Sequence, residues 1–323
     1  MARPSQPARE VSIPSPILIL DRDAAVIARL LAAHTARTLL PVTEGLPGEG
    51  LGEIELCLGA PDRVAEAAPR LPALRWVQST WAGVGPLLPL ARERPGLVVT
   101  GVKGIFGPLM AEYVFGWLIA VERGMLAHHA AQAERRWAPA AQRRLAGRRL
   151  VLFGLGSIGA RLARVAGSFG LRVTGVSRTG RPVEGCETVH PVDALEAAAR
   201  GADYLVSVVP DTPETRGRLD GRMLGVLAEG AILVNVGRGS VLVEEDLLRA
   251  LREGPLRAAV LDVFREEPLP PGHPFWTEPG VHVTPHVAAP TLPEDIAGLF
   301  LENLGRWERG EAPAHRVDPV RGY

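Results

Sequence analysis

Three stretches of this chain carry the side chains that carbonyl chemistry would need. The first is Asn235-Val-Gly237-Arg238-Gly239. The second is Leu261-Asp262-Val-Phe-Arg-Glu266-Glu267-Pro268, and the third is Thr284-Pro285-His286-Val-Ala288-Ala289. Together they offer a guanidinium, several carboxylates and an imidazole. Hydride delivery to a carbonyl requires a proton for the oxygen, and histidine gives one readily near neutral pH. A carboxylate partner favours the imidazolium and fixes the ring. An arginine can polarise a carbonyl and pair with a substrate carboxylate.

Each stretch comes at the end of an apolar run: Ala231–Val236, Ala258–Val260 and Val281–Val283. Other such runs are Pro16–Leu20, Ile54–Leu58, Arg75–Ser79, Leu97–Val102, Arg149–Phe153, Arg172–Val176 and Tyr204–Val209. Most are continuous, not alternating, as in parallel strands buried on both faces. Helical patterns lie between them, for example Ala160–Phe169, Val192–Arg200 and Glu244–Arg252. The repeated order predicts an α/β protein, and open α/β sheets carry their ligands at the carboxyl ends of strands.

A second signal is Gly154-Leu-Gly156-Ser157-Ile158-Gly159, between the run ending at Phe153 and an amphipathic stretch. The pattern G-x-G-x-x-G is weak alone, because glycine is frequent here (36 of 323 residues). Its place between a strand and a helix strengthens it. Gly154 permits the tight turn, Gly156 lets backbone approach a pyrophosphate, and Gly159 lets helix and strand pack closely. The helix N-terminus offers N–H groups to phosphate. The next run ends at Val176, and it is followed by Ser177, where an NAD-preferring site would place an acid for the ribose hydroxyl, and then by Arg178, Thr179 and Arg181. The missing acid predicts NADP over NAD, with NAD as the weaker cofactor.

Composition removes other classes. Lys plus Arg and Asp plus Glu are both 36, so there is no basic surplus for nucleic acid. The sole lysine, Lys103, follows Val102, which excludes a Gly-Lys-Ser/Thr phosphate loop. No tyrosine has a lysine four residues on, which excludes a Tyr-x-x-x-Lys pair. Cys57 and Cys186 are far apart and form neither a metal motif nor a disulfide framework. Met1 to Pro16 lacks the apolar segment of a secretory signal, and the longest apolar stretch, Tyr113–Val121, is too short to span a bilayer. A cytoplasmic protein without membrane contact is expected.

Length suggests two domains. The chain divides near residue 100. Pro108–Glu134 reads as one long helical stretch, and Arg143–Arg149 as a solvated loop. The last helix, Glu294–Arg309, is apolar at Ile296, Leu299, Phe300, Leu304 and Trp307 and can fold back on the first domain. The expected boundaries are 1–100 plus 290–323, and 101–289. Of the other histidines, His128 and His129 read as exposed helix residues, and His282 as a satisfied strand residue. His34, His190, His273 and His315 are given no role.

Taken together, the motifs resemble the D-isomer-specific 2-hydroxyacid dehydrogenases, and most of all their NADPH-dependent glyoxylate/hydroxypyruvate reductases. The likeness includes Met110-Ala-Glu112-Tyr113-Val, the Gly154–Gly159 loop, Val209-Pro210-Asp-Thr-Pro-Glu-Thr215-Arg216, the Arg238 loop, Asp262-Val-Phe-x-x-Glu267-Pro268-Leu, Thr284-Pro285-His286 and the closing Val317–Tyr323. It implies two Rossmann-like or flavodoxin-like domains with parallel sheets and a cleft between them. The discontinuous one would take the substrate, and the other would hold the dinucleotide and a dimerisation helix. It further implies that His286 is the acid/base, that Glu267, not Glu266, is its partner, and that Arg238 holds the substrate's carboxylate and carbonyl. Ala82 and Gly83, in Trp81-Ala-Gly-Val84, match a loop whose amides bind the carboxylate. Val236 and Asp262 match positions near the nicotinamide carboxamide, and Val209, Pro210 and Thr215 an adenine-side loop. The implied activity is reduction of a short 2-oxo acid to the D-2-hydroxy acid, or to glycolate, by a homodimer. Departures are Ser177, the bulky Trp81, and a loop, Val42–Gly52, without aromatic residues. Trp81 and Trp137 could line the pocket or merely pack. A nicotinamide-sensing interaction protein of the same fold is the other reading. Formate oxidation fits less well, because Glu267 stands where such enzymes carry Gln.

Overall fold

The computed structural model describes residues 14–46 and 48–320. The opening segment, part of the Val42–Gly52 loop and the last three residues, on which some of the expectations above fall, lie outside the described residues. The chain forms two compact units, one running to Ile105 and resuming at Thr291, the other spanning Phe106–Pro290.

The first unit holds a five-stranded sheet of β1 (Ile17–Leu20), β2 (Leu39–Val42), β3 (Leu56–Gly59), β4 (Trp76–Ser79) and β5 (Val98–Thr100). The order is β2-β1-β3-β4-β5, and all pairings are parallel. That is the flavodoxin-like arrangement. β1, β3 and β4 are buried along their whole length, which explains the apolar runs of β1 and β3, while β4 also buries Gln78 and Ser79. The last helix, Pro293–Glu308, belongs to this unit. Its Phe300 and Trp307 rings stack on Trp76 of β4, with centroids 5.2 and 5.4 Å away. Each such aromatic pair contributes about 1 kcal/mol beyond its area. Beneath them, Trp76 Nε1 donates to Thr100 Oγ1 (2.9 Å), and Asn303 Nδ2 donates to Gln78 Oε1 (3.0 Å), so these buried polar groups are satisfied.

The second unit holds seven parallel strands: β6 (Arg149–Phe153), β7 (Arg172–Ser177), β8 (Thr188–Pro191), β9 (Tyr204–Ser207), β10 (Ala231–Asn235), β11 (Leu256–Leu261) and β12 (Val281–Val283). Their order is β12-β11-β10-β9-β6-β7-β8. The direction of winding reverses between β6 and β9, as in a doubly wound dinucleotide fold. Alternate residues of each strand serve opposite cores. Val151, Phe153 and Leu233 face one, while Leu150, Leu152 and Val234 face the other.

Two strands, β2 and β8, do not stand out in the sequence. Both are sheet edges, both contain proline (Pro41, Pro191), and neither has a fully buried residue. Edge strands need no apolar run, and they tolerate proline. The expected single helix over Pro108–Glu134 is instead two helices, Gly107–Glu122 and Met125–Ala133. Gly124 between them has a φ of 63°, which glycine adopts without strain. His128, expected to be exposed, is partly buried, and its Nε2 accepts from Ala140 N (3.1 Å). The arginine run is not merely solvated: Arg148 pairs with Asp203, which also accepts from Arg149 N (2.9 Å).

Candidate active site

Because all seven strands of the second unit run the same way, their carboxyl ends share one edge. There lie the Gly154 loop after β6, Ser177 at the end of β7, Val209 and Pro210 after β9, Arg238 after β10, Asp262 after β11 and His286 after β12. The Gly154 loop sits at the winding reversal, where open α/β sheets form their ligand crevice.

This loop is shaped by missing side chains. Gly154 has a φ of 109°. A Cβ on Gly159 would fall 2.0 Å from the Gly154 carbonyl oxygen, so helix Ser157–Ser168 can approach the strand only with glycine there. At Gly156, a Cβ would meet nothing within 4 Å. Gly156 and Ser157 are exposed, Ile158 packs on the core, and no side chain caps the helix. An open, uncapped N-terminus beside bare backbone fits a dinucleotide pyrophosphate. At the end of β7, the Ser177 hydroxyl accepts from Gly180 N (3.2 Å), and Arg178 and Thr179 are exposed. Arg178 lies close enough to Glu214 to help hold that carboxyl below its usual range, after hydrogen bonds from the Glu214 amide and Thr212. In the β9 loop, Val209 is buried, and Thr215 Oγ1 donates to the Pro210 carbonyl (2.6 Å), closing the turn.

The Arg238 loop is wedged between neighbours. A Cβ on Gly237 would come within 2.6 Å of the Val209 carbonyl, and one on Gly239 within 1.9 Å of the Phe264 backbone. Asn235 Nδ2 donates to the Arg238 carbonyl (3.0 Å), and Arg238 Nη1 to the Gly237 carbonyl (2.6 Å). Val236 is buried beside them. A carboxylate, Asp211, lies near. It is held below the usual range first by Arg216, then by Ser240 and by the Arg238 charge.

His286 Nδ1 and Glu267 Oε2 are 2.8 Å apart, with side chains 54% and 37% exposed. Glu267 Oε1 accepts from Phe264 N (2.8 Å), which orients the carboxylate. Glu266, the neighbouring acid, is exposed. The histidine pairs at Nδ1, which leaves Nε2 for other chemistry. His286 has a φ of 55°, uncommon for a residue with a Cβ. Asp262 braces this backbone. It is 1% exposed, its Oδ1 accepts from Val287 N (2.8 Å), and its Oδ2 accepts from Ala288 N (2.9 Å). Its Oδ1 also accepts from Thr284 Oγ1 (2.6 Å), whose oxygen lies 2.5 Å from the Tyr113 hydroxyl. The roles of Thr284 and Tyr113 are not read from the sequence, because their partners are far along the chain.

In the first unit, Ala82 and Gly83 sit in a turn after β4. Trp81 N donates to Ser79 Oγ (3.0 Å), which donates back to the Trp81 carbonyl (2.7 Å). The Trp81 ring is 44% exposed, and Trp137, in the second unit, is fully exposed.

Residues 115–288 match the family model of the D-isomer specific 2-hydroxyacid dehydrogenase NAD binding domain. The chain belongs to this family. It is therefore an oxidoreductase with a nicotinamide-dinucleotide domain. It is 35% identical over 256 residues to glyoxylate/hydroxypyruvate reductase A of Serratia proteamaculans, covering 77% of this chain and 82% of that one. A crystal structure of a D-isomer specific 2-hydroxyacid dehydrogenase family protein from Aeromonas salmonicida matches with a TM-score of 0.89 and 40% identity, over 94% of this chain and 99% of that one. The NADPH-dependent glyoxylate/hydroxypyruvate reductase of Sinorhizobium meliloti, solved with NADP and sulfate, matches with a TM-score of 0.82 and 30% identity, over 96% of this chain and all of that one. Among the described residues, no helix is long and apolar enough to cross a membrane.

Proposed function

We propose that this dehydrogenase reduces a short 2-oxo acid, glyoxylate or hydroxypyruvate, with NADPH, giving glycolate or the D-2-hydroxy acid. The observation that carries this reading is the His286–Glu267 pair, 2.8 Å apart and open to solvent on the edge where the glycine loop begins its helix. The bound dinucleotide supplies the hydride. Glu267 holds His286 by Nδ1, so Nε2 gives its proton to the carbonyl oxygen as C2 is reduced. Arg238, on the next loop but one, takes the substrate carboxylate and polarises the carbonyl.

The Gly154–Gly159 turn would hold the dinucleotide, with the amides of Ser157 and Ile158 offered to its pyrophosphate. Val209, Pro210 and Thr215 would flank its adenine side, and Val236 and Asp262 its carboxamide. With three acceptor positions already used, the Asp262 carboxylate keeps one in reserve. NADP preference is supported by the absence of an acid at Ser177 and by Arg178 and Thr179 beside it. A homodimer is part of the same proposal.

The test is a panel of 2-oxo acids assayed with NADPH and NADH in parallel. Turnover of glyoxylate or hydroxypyruvate, with a higher kcat/KM for NADPH, is expected. Tight dinucleotide binding without turnover of any 2-oxo acid would favour a sensing protein instead. An equal or higher kcat/KM with NADH would refute the cofactor preference.

A further inference from the structure

We infer that Tyr113 and Thr284 are positioning residues for His286, acting through a directed chain of hydroxyls that ends on the Asp262 carboxylate. The inference rests on His286 being the proton donor, as proposed above.

The direction of the chain follows from counting protons. Asp262 Oδ1 accepts from Thr284 Oγ1 (2.6 Å). Threonine has only one hydroxyl proton, so its oxygen can only accept from a second partner. That partner is the Tyr113 hydroxyl, 2.5 Å away, which must therefore donate. Burial pushes the Tyr113 hydroxyl up to about 12, so it keeps its proton at neutral pH. The chain thus runs from Tyr113 to Thr284 to Asp262.

The carboxylate at its end is the brace of the histidine turn. It takes the amides of Val287 and Ala288, and the Asp262 carbonyl takes the amide of His286 itself (3.0 Å). Three consecutive amides, beginning at a residue with φ of 55°, are thereby tied to one buried aspartate. Anything that turns this carboxylate turns the backbone from which the imidazole projects.

A second contact joins the same two elements. Four residues on from Tyr113, the Trp117 ring stacks on His282, with centroids 5.1 Å apart. Tyr113 and Trp117 share one face of helix Gly107–Glu122. His282 and Thr284 share one side of β12 and its extension. The stack fixes where the helix lies against the strand, and the hydroxyl chain transmits that position to the turn.

The experiment uses the full-length protein with Tyr113→Phe, Thr284→Val, Thr284→Ser and the Tyr113→Phe/Thr284→Val double variant. Steady-state kinetics are read beside hydrogen exchange of the Val287 and Ala288 amides. Removing either hydroxyl should lower kcat by about tenfold, since small misplacement of a reacting group is costly. The KM for NADPH should change by a smaller factor than kcat over the same set, because the chain reaches the dinucleotide only through the remaining acceptor position of Asp262. The double variant should be no worse than either single one, as expected of a single chain. Thr284→Ser, which keeps the hydroxyl, should recover most of kcat. Both amides should exchange faster in Tyr113→Phe and Thr284→Val. Unchanged exchange in both variants would overturn the inference whatever the enzyme reduces, and so would additive losses of kcat. If exchange quickens as expected while His286→Ala retains turnover, the brace stands, but its role in proton donation is overturned.

Discussion

Two regions at the edge of one sheet are built in opposite ways. The turn at Gly154–Gly159 is made by what is absent: a Cβ at Gly159 would sit 2.0 Å from backbone, and Gly156 opens on empty space. The turn at Thr284–Ala288 is made by what is present, with Asp262, Thr284, Tyr113 and Glu267 converging on one histidine. A phosphate needs bare backbone and a helix end, which any side chain would obstruct. A proton donor needs an orientation, which only fixed partners can impose.

The contrast can be broken most severely at Gly159. Gly159→Ala places a methyl against the Gly154 carbonyl, and the loop must move. Loss of NADPH binding, read by the fluorescence of the bound dinucleotide, and a lower Tm are expected. Unaltered binding would show that the close approach does not matter. At the other turn, single changes should spare binding and strike turnover. Glu267→Gln keeps the shape, but with its oxygen on the Phe264 amide its NH2 faces Nδ1 as a donor and cannot accept from the imidazolium. It should lower kcat by about tenfold, in the range of a general acid that has lost its orienting partner, with little change in dinucleotide affinity.

Ser177→Asp sharpens the comparison on the cofactor side. Aspartate can keep the hydrogen bond from Gly180 N while repelling a 2′-phosphate. The ratio of kcat/KM for NADPH over NADH should fall by about tenfold or more. The smallest effect is expected at His282. Burial lowers its pKa from the ordinary 6.5, so the unfolded chain takes up its proton first as pH falls. Stability from this site is present above that ordinary value and is lost as pH drops through the lower folded value. His282→Phe, which preserves the stack on Trp117, should lose less Tm between about pH 7.5 and about pH 5 than the parent does.

The same contrast explains what the sequence reveals. The glycine turn is legible because its logic is local: three glycines in six residues, between a strand and a helix. The buried strands are legible because both faces demand apolar residues, whereas β2 and β8 escape because edges make no such demand. Arg238 and His286 are marked by residue type and by their place after apolar runs, whereas Glu267 is told from Glu266 only by the likeness of its Glu-Pro pair. Tyr113 is different. It stands 171 residues from Thr284, and a largely apolar helix gives no sign of which hydroxyl it will meet. Likewise Gly124, which divides the long helix, looks like any glycine in a helical pattern until its positive φ is seen.

The central claim is that His286 delivers the proton. The measurement that tests it most directly is single-turnover oxidation of NADPH by His286→Ala with saturating glyoxylate. The rate of the chemical step should fall by about two to four orders of magnitude, with dinucleotide binding intact. A rate within a few-fold of the parent would place the proton elsewhere.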